Sequence, residues 1–195
     1  MLRRHEHPDQ SQRRHVAVLF VDVCGFTHLV ETVEPEIVYQ VMRPLMDQLV
    51  LLAGLQRGEI QQVLGDGFMA VFGLRVERGD EAERAVRAGI ALVAAGRALP
   101  ARLPVHVGIE YGEVLVTPSW QLAGFGVWGR PVNLARRLCD LAGPDEIQIG
   151  PAAFARSSLR VGVARAARTR LKGITGVVVA HRLAGGEPDR EPPRW

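Results

Sequence analysis

The run His15–Val23, HVAVLFVDV, constrains this chain more than any other stretch. Seven of its nine residues are apolar, and Cys24-Gly25 ends it abruptly. Such a run reads as a strand buried on both faces, hence one in the middle of a sheet. Asp22 is its exception. A carboxylate at the edge of a core is costly unless it is paired, hydrogen-bonded or bound to a cation. The chain repeats the arrangement in QQVLGDGFMAVF, where Asp66 stands between Gly65 and Gly67 with apolar runs on either side.

The segments around these two aspartates set the fold class. Val38, Val41, Met42, Leu45, Leu49 and Leu52 recur at helical spacing, and Gly58 follows the helix they predict. EIQQVLGDGFMAVF predicts a hairpin about the Gly-Asp-Gly turn. Asp80 and Glu83 form a helix-start signature ahead of the apolar stripe Ala82, Ala85, Val86, Ile90 and Val93. Val105, Val107 and Ile109 alternate along PVHVGIEYG, and EVLVT is expected as its partner strand. Pro131 opens a short helix closed by Gly143-Pro144. EIQIG and VVVAHRL read as strands, with a helical turn at PAAFARS. Strand, helix, two strands, helix, strand is the order of a ferredoxin-like βαββαβ core. The expectation is an α+β domain with a mostly antiparallel sheet and added C-terminal strands and helix.

Length and charge narrow the class of function. The 195 residues suit one domain, expected over 14–184, with polar tails at 1–13 and 185–195. No apolar run reaches membrane-spanning length, and the charged N-terminus has no apolar segment of the secretory kind. A net charge of +3 is too small to argue for nucleic acid. Cys24 and Cys139 lack metal-ligand spacing, so a reduced, cytoplasmic setting is expected.

Taken singly, Asp66 reads as an Asx turn and Asp22 as a helix-entry cap. Taken together, they can converge at one sheet edge if their strands are neighbours. One or two carboxylates, completed by phosphate oxygens, is how Mg²⁺ is usually held. Gly25, Gly65 and Gly67 would let backbone approach a triphosphate closely. Further along, Asn133 and Arg137 are four apart and share a helix face, while Leu134, Leu138 and Leu141 form another. An amide and a guanidinium on one face can hold a ribose and a phosphate, or simply be solvated.

LFVDVCGFT, VLGDGFMAVFG and GVWGRPVNLARRL resemble, in this order, three motifs of the class III adenylate and guanylate cyclase catalytic domains. GIEYGEVLV and RLKGITGVVVAHRL fit as well. The resemblance implies that Asp22, Asp66 and the Val23 carbonyl hold two Mg²⁺ or Mn²⁺ ions. It implies that the backbone of Cys24, Gly25 and Phe26 meets phosphate, that Asn133 orients the ribose and that Arg137 stabilises the transferring phosphoryl group. The expected reaction is cyclisation of a nucleoside triphosphate, ATP favoured, with release of pyrophosphate. The expected state is a head-to-tail homodimer whose two sites each draw on both chains. Arg136 is read as a surface residue, and Trp128 and Phe125 as packing or interface residues.

Two positions depart from the family pattern. Relatives that use ATP carry lysine where this chain has Gln62, and aspartate or threonine where it has Gly126. Gln62 is expected on the face of Ile60 and Leu64, where its amide needs a base edge or a backbone group. The pair leaves a pyrimidine cyclase of antiphage signalling and a non-catalytic nucleotide-binding module as alternatives. No GGDEF-like turn is present, which sets diguanylate cyclases aside.

Overall fold

The computed structural model describes residues 11–63, 65–98, 103–118, 125–158 and 163–184. In chain order these form β1 (Gln12–Val23), α1 (Phe26–Thr32), α2 (Pro35–Leu55), β2 (Gly58–Val63), β3 (Gly67–Phe72), α3 (Glu81–Ala98) and β4 (Val105–Pro118). They continue as β5 (Phe125–Trp128), α4 (Arg130–Leu141), β6 (Glu146–Ile149), α5 (Pro151–Arg156), β7 (Val163–Thr169) and β8 (Val178–Ala184). The strands make one sheet in the order β2-β3-β1-β4-β6-β8-β7, with β5 paired to β4. All pairings are antiparallel except β4 with β6. The first four strands have the ferredoxin-like order, and the rest extend the sheet beyond β4. Among the described residues, no helix is long and apolar enough to cross a membrane.

The strand expected at the centre is there, and its alternation assigns the layers. Ala17, Leu19, Val21 and Val23 point to one face, into a core completed by Val38, Met42, Leu45 and Leu49 of α2 and by Ala85, Val86 and Leu92 of α3. Val16, Val18 and Phe20 point to the other, where Ala135 and Cys139 of α4 meet them. Asp22 continues this second series and therefore emerges on the α4 face. Gly108 lets α4 lie directly on β4. A Cβ there would stand 2.1 Å from the Cys139 nitrogen and 2.2 Å from the Ala135 oxygen.

Several local expectations need correction. β1 begins at Gln12, inside the segment expected as a tail. Residues 1–10 and 185–195 lie outside the described residues. PVHVGIEYG and EVLVT are one continuous strand, β4, rather than partners. Its partner over the second half is β5, which pairs Leu115 with Trp128 and Thr117 with Gly126. β7 carries no clear signal in the sequence: the apolar residues of VARAART are mostly alanine, a weak strand former.

Gln62 is on the opposite face from Ile60. The register of β2 on β3 shifts between them, so Ile60 pairs with Ala70 but Gln62 pairs with Met69. Such a bulge adds one residue and reverses the parity of the strand beyond it. Gln62 is exposed and joins the α4 side, where Met69 pairs with Phe20 across β1. Leu64 lies outside the described residues.

Candidate active site

The pairing of β1 with β3 brings the two aspartates together, Asp22 near the end of β1 and Asp66 on the turn that enters β3. Asp22 is opposite Gly67 in the β1–β3 register, and the Val23 N–H donates to the Asp66 carbonyl at 3.1 Å. Gly67 is required here, because a Cβ would come within 2.1 Å of the Val21 oxygen and 2.8 Å of Asp22 Oδ1. Asp22 Oδ1 is buried and, among the described residues, accepts no hydrogen bond. Such an atom is expensive unless something absent from the protein alone satisfies it.

The charges around the pair are asymmetric. Burial works against the charge of Asp22, but His106 and the Arg136 guanidinium outweigh it and hold that carboxyl below its usual range. Burial and the neighbouring Asp22 charge push Asp66 up instead. Two carboxylates in contact ionise together only with difficulty, and the more solvated or better-paired one ionises first. His106 is across the β1–β4 register from Asp22, with Nε2 3.9 Å from Asp22 Oδ2, an ion-pair rather than a hydrogen-bond distance. Its Nδ1 donates to the Ala142 carbonyl at 2.9 Å. Asp22 first, and Cys24 next, push the imidazole up to about 10 against the effect of burial.

A cavity of about 380 Å³ opens beside the carboxylates, lined by Phe20, Gln62, Asp66, Val132, Asn133 and Arg136. Asp66, Gln62 and Asn133, all singled out from sequence, therefore meet in one cleft. Arg137 does not line it. Its Nη1 is 2.8 Å from Asp140 Oδ2 on the same helix. Gly126 is on the β4–β5 hairpin, and it has no room for a side chain: a Cβ would be 2.7 Å from both Thr117 Oγ1 and Trp128 Nε1. Those two atoms hydrogen-bond to each other at 3.2 Å. Trp128 is exposed, and the Phe125 side chain lies outside the described residues. Gly25 opens α1 in the left-handed conformation at φ 75°. Of the three amides expected to face phosphate, that of Cys24 is committed elsewhere, donating to the Pro104 carbonyl at 2.8 Å.

Arg136 is the cleft residue that the sequence misplaces. It is no bystander on the surface: Nη2 lies 3.4 Å from Asp22 Oδ2 and Nε lies 3.1 Å from Asp140 Oδ1. Its position three residues after Asn133 puts it on the same side of α4, a signal that helical spacing already carries. His106 escapes sequence reasoning for a different reason, since only the β1–β4 register brings it to Asp22.

The donor set fits a divalent cation. Two adjacent carboxylates, one with an unsatisfied buried oxygen, suit an oxygen-preferring ion that completes its shell with phosphate and water. Among the described residues no third acidic, histidine or cysteine side chain joins them in a metal-holding group. Among the described residues, the pair would hold a cation in an open site rather than a closed cage.

A fold and a cleft of this kind define a class of nucleotide-handling domains. The family described as the adenylate and guanylate cyclase catalytic domain matches residues 9–184, and the chain belongs to it. Among solved structures, the guanylyl cyclase Cya2 has a TM-score of 0.83 at 30% identity, covering 91% of this chain and 96% of that one. The adenylyl cyclase CyaB from P. aeruginosa has a TM-score of 0.80 at 24% identity, over 93% and 100% of the two chains, a likeness of fold. An uncharacterized protein of Mycobacterium tuberculosis is 32% identical over 136 residues, 68% of this chain and 25% of its own. The chain spans about a quarter of the length of such curated relatives.

Proposed function

We propose that this domain cyclises a nucleoside triphosphate, ATP in the first place, to its 3′,5′-cyclic monophosphate and pyrophosphate. The observation that carries this is the Asp22–Asp66 pair, one near the end of β1 and the other on the turn into the neighbouring β3, with one buried carboxylate oxygen left unsatisfied among the described residues beside an open cleft. Asp22, Asp66 and the Val23 carbonyl would hold Mg²⁺ or Mn²⁺. Bound there, the cations would supply the positive charge that lowers the proton affinity of the ribose 3′-hydroxyl and neutralises the departing pyrophosphate.

The remaining work falls to the chain itself. Gly25 and Phe26, where β1 turns into α1, would give the phosphates backbone N–H groups. Asn133 would hold the ribose by its amide. Arg137 would stabilise the charge that grows on the α-phosphoryl group as the 3′-oxygen attacks and the bond to pyrophosphate breaks. Arg137 does not line the cleft that holds the Asp66 of its own chain, although Asn133 does, and the place of Arg137 supports a site shared across a head-to-tail homodimer. Within one protomer it is held ready by Asp140. Gln62 would meet the base, donating to the adenine ring nitrogen and accepting from its amino group. The same amide, flipped, fits guanine, so the preference for ATP over GTP is modest.

The test is incubation of purified protein with ATP, GTP, UTP and CTP separately, each with Mg²⁺ and with Mn²⁺, and chromatography of the products. Cyclic AMP should form fastest. Faster turnover of UTP or CTP would replace the purine reading. No cyclic product from any of the four, in protein that dimerises and binds metal, would leave a nucleotide-binding module.

A further inference from the structure

The guanidinium of Arg136 stands where the positive charge of a cation is wanted. Its Nη2 is 3.4 Å from Asp22 Oδ2, and its side chain lines the cleft with Asp66. The guanidinium carbon lies 5.7 Å over the Phe20 ring, which fixes the fork beside the carboxylates and shields one side of it. At its other edge, Nε is 3.1 Å from Asp140 Oδ1. The side chain is thus strung between a carboxylate of the site and one outside it. About a third of it is exposed to solvent, at 36%.

We propose that Arg136 is the resident counter-ion of the Asp22–Asp66 pair, holding Asp22 in the metal-free protomer and yielding it when a divalent cation binds. This rests on the reading of Asp22 and Asp66 as cation ligands. An oxygen already paired with a guanidinium gains less from a second cation, and the two positive charges repel each other within one cleft. Asp140 provides the route of release. With Nε already on Asp140, the outer part of the side chain can swing away from Asp22 while the arginine keeps an anionic partner. The triphosphate would bring further negative charge for the displaced group. His106 also faces Asp22 Oδ2, but its Nδ1 is tied to the Ala142 carbonyl on the far side, so it cannot move away in the same manner. The consequence is a site that takes up bare metal reluctantly and binds it best together with nucleotide.

The experiment is Mn²⁺ binding to the full chain without nucleotide, followed by the electron paramagnetic resonance of free Mn²⁺. Wild type, Arg136→Ala, Arg136→Gln, Arg136→Lys and Asp66→Asn are compared. Removing the charge should tighten Mn²⁺ binding about five- to tenfold in the Ala and Gln variants, the size of effect that one partly exposed charge exerts on a near neighbour. Lys, which keeps a charge but loses the fork, should fall between them and wild type. Melting temperature is a second readout that a packing role would not produce. In chelator, Arg136→Gln should melt below wild type, and saturating Mn²⁺ should close that gap. Equal or weaker Mn²⁺ binding in both neutral variants, or a melting deficit that Mn²⁺ leaves unchanged, would overturn the counter-ion role alone. If Asp66→Asn binds Mn²⁺ as wild type does, the carboxylate reading itself fails and the proposal goes with it.

Discussion

The two faces of the sheet are built from the same strand by alternate residues, yet they have opposite characters. On one face, Leu19 and Val21 disappear beneath α2 and α3 into a hydrophobic cluster. On the other, the twelve-residue α4 covers Val18 and Phe20 but leaves the end of the strand open. There the next residue of the series is Asp22, and its neighbours are Asp66, His106 and Arg136. The closed face supplies stability. On the proposed reading, a cation from the adjoining cleft would satisfy the buried carboxylate oxygen of the open face. The position of a charge along a strand matters less than which face its parity selects.

Cutting one residue from each face should separate their roles most strongly. Asp66→Ala should abolish cyclase turnover, a loss of at least about a thousandfold, or roughly 4 kcal/mol in the barrier. The fold should not suffer. The Asp66 carboxyl is pushed up in the folded state, so above its usual titration range its ionised form opposes folding, and removing it relieves that opposition at neutral pH. Its melting temperature should equal or exceed that of wild type. Leu19→Ala should do the reverse. Leu19 is fully buried, and the loss should be about 2–5 kcal/mol of stability with turnover per folded molecule retained. Denaturant melts and initial rates on the same preparations check both. An Asp66→Ala protein that is active with saturating Mn²⁺, or one that unfolds, would erase the division between the faces.

How much of this division is legible in the sequence differs between the two faces as well. The closed face is plain in HVAVLFVDV and in the spacing of Val38, Met42, Leu45 and Leu49, and local sequence even understates it. Pro44 lies within α2, where an interior proline costs about 3 kcal/mol, yet the helix runs from Pro35 to Leu55. Burial of its apolar stripe outweighs that cost, which no local rule weighs. On the open face, the aspartates and the Asn133–Arg137 spacing are visible, but their relations are not. The β2 bulge that turns Gln62 to the α4 side depends on pairing with β3, and the His106–Asp22 contact depends on pairing with β4. Arg136 is hidden because its neighbour Arg137 absorbs the functional expectation. Two adjacent arginines on a helix point about 100° apart, and here one turns to its own chain's Asp22 while the other is held by Asp140.

The next largest effect is expected from a second protomer. If the open face of each chain is completed by its partner, Asp22→Asn and Arg137→Ala should each be inactive alone. Mixed in equal amounts, they should recover up to about a quarter of wild-type activity, since half of randomly exchanged dimers are mixed and each has one intact site of two. Initial rates measured against the mixing ratio, with heterodimers quantified by differential tagging, test this. Heterodimers that form without any recovery would mean that each site belongs to one chain.

The smallest effect is expected at Gly126, which pairs with Thr117 and so lies on the other side of the sheet from Val116 and Val127 of the α4 face. Gly126→Ala places a Cβ 2.7 Å from Thr117 Oγ1 and from Trp128 Nε1, closer than such atoms approach, so the hydrogen bond between them must open. Trp128 is 61% exposed and its ring is free to swing outward. The cost in stability is then that of one solvent-accessible hydrogen bond, about 0.5–1 kcal/mol. If the hairpin forms part of the base pocket, the KM for ATP should rise about two- to fivefold, the equivalent of that same free energy, while kcat is held. Gln62→Lys acts from the other strand and should alter the ATP-to-GTP ratio of kcat/KM without disturbing Trp128. In the double variant, departure from additivity would place both residues on one ligand, because groups that share a partner couple. A Gly126→Ala variant with KM and selectivity untouched, despite the displaced tryptophan, would take the β4–β5 hairpin out of base recognition and leave Gln62 to read the base without it.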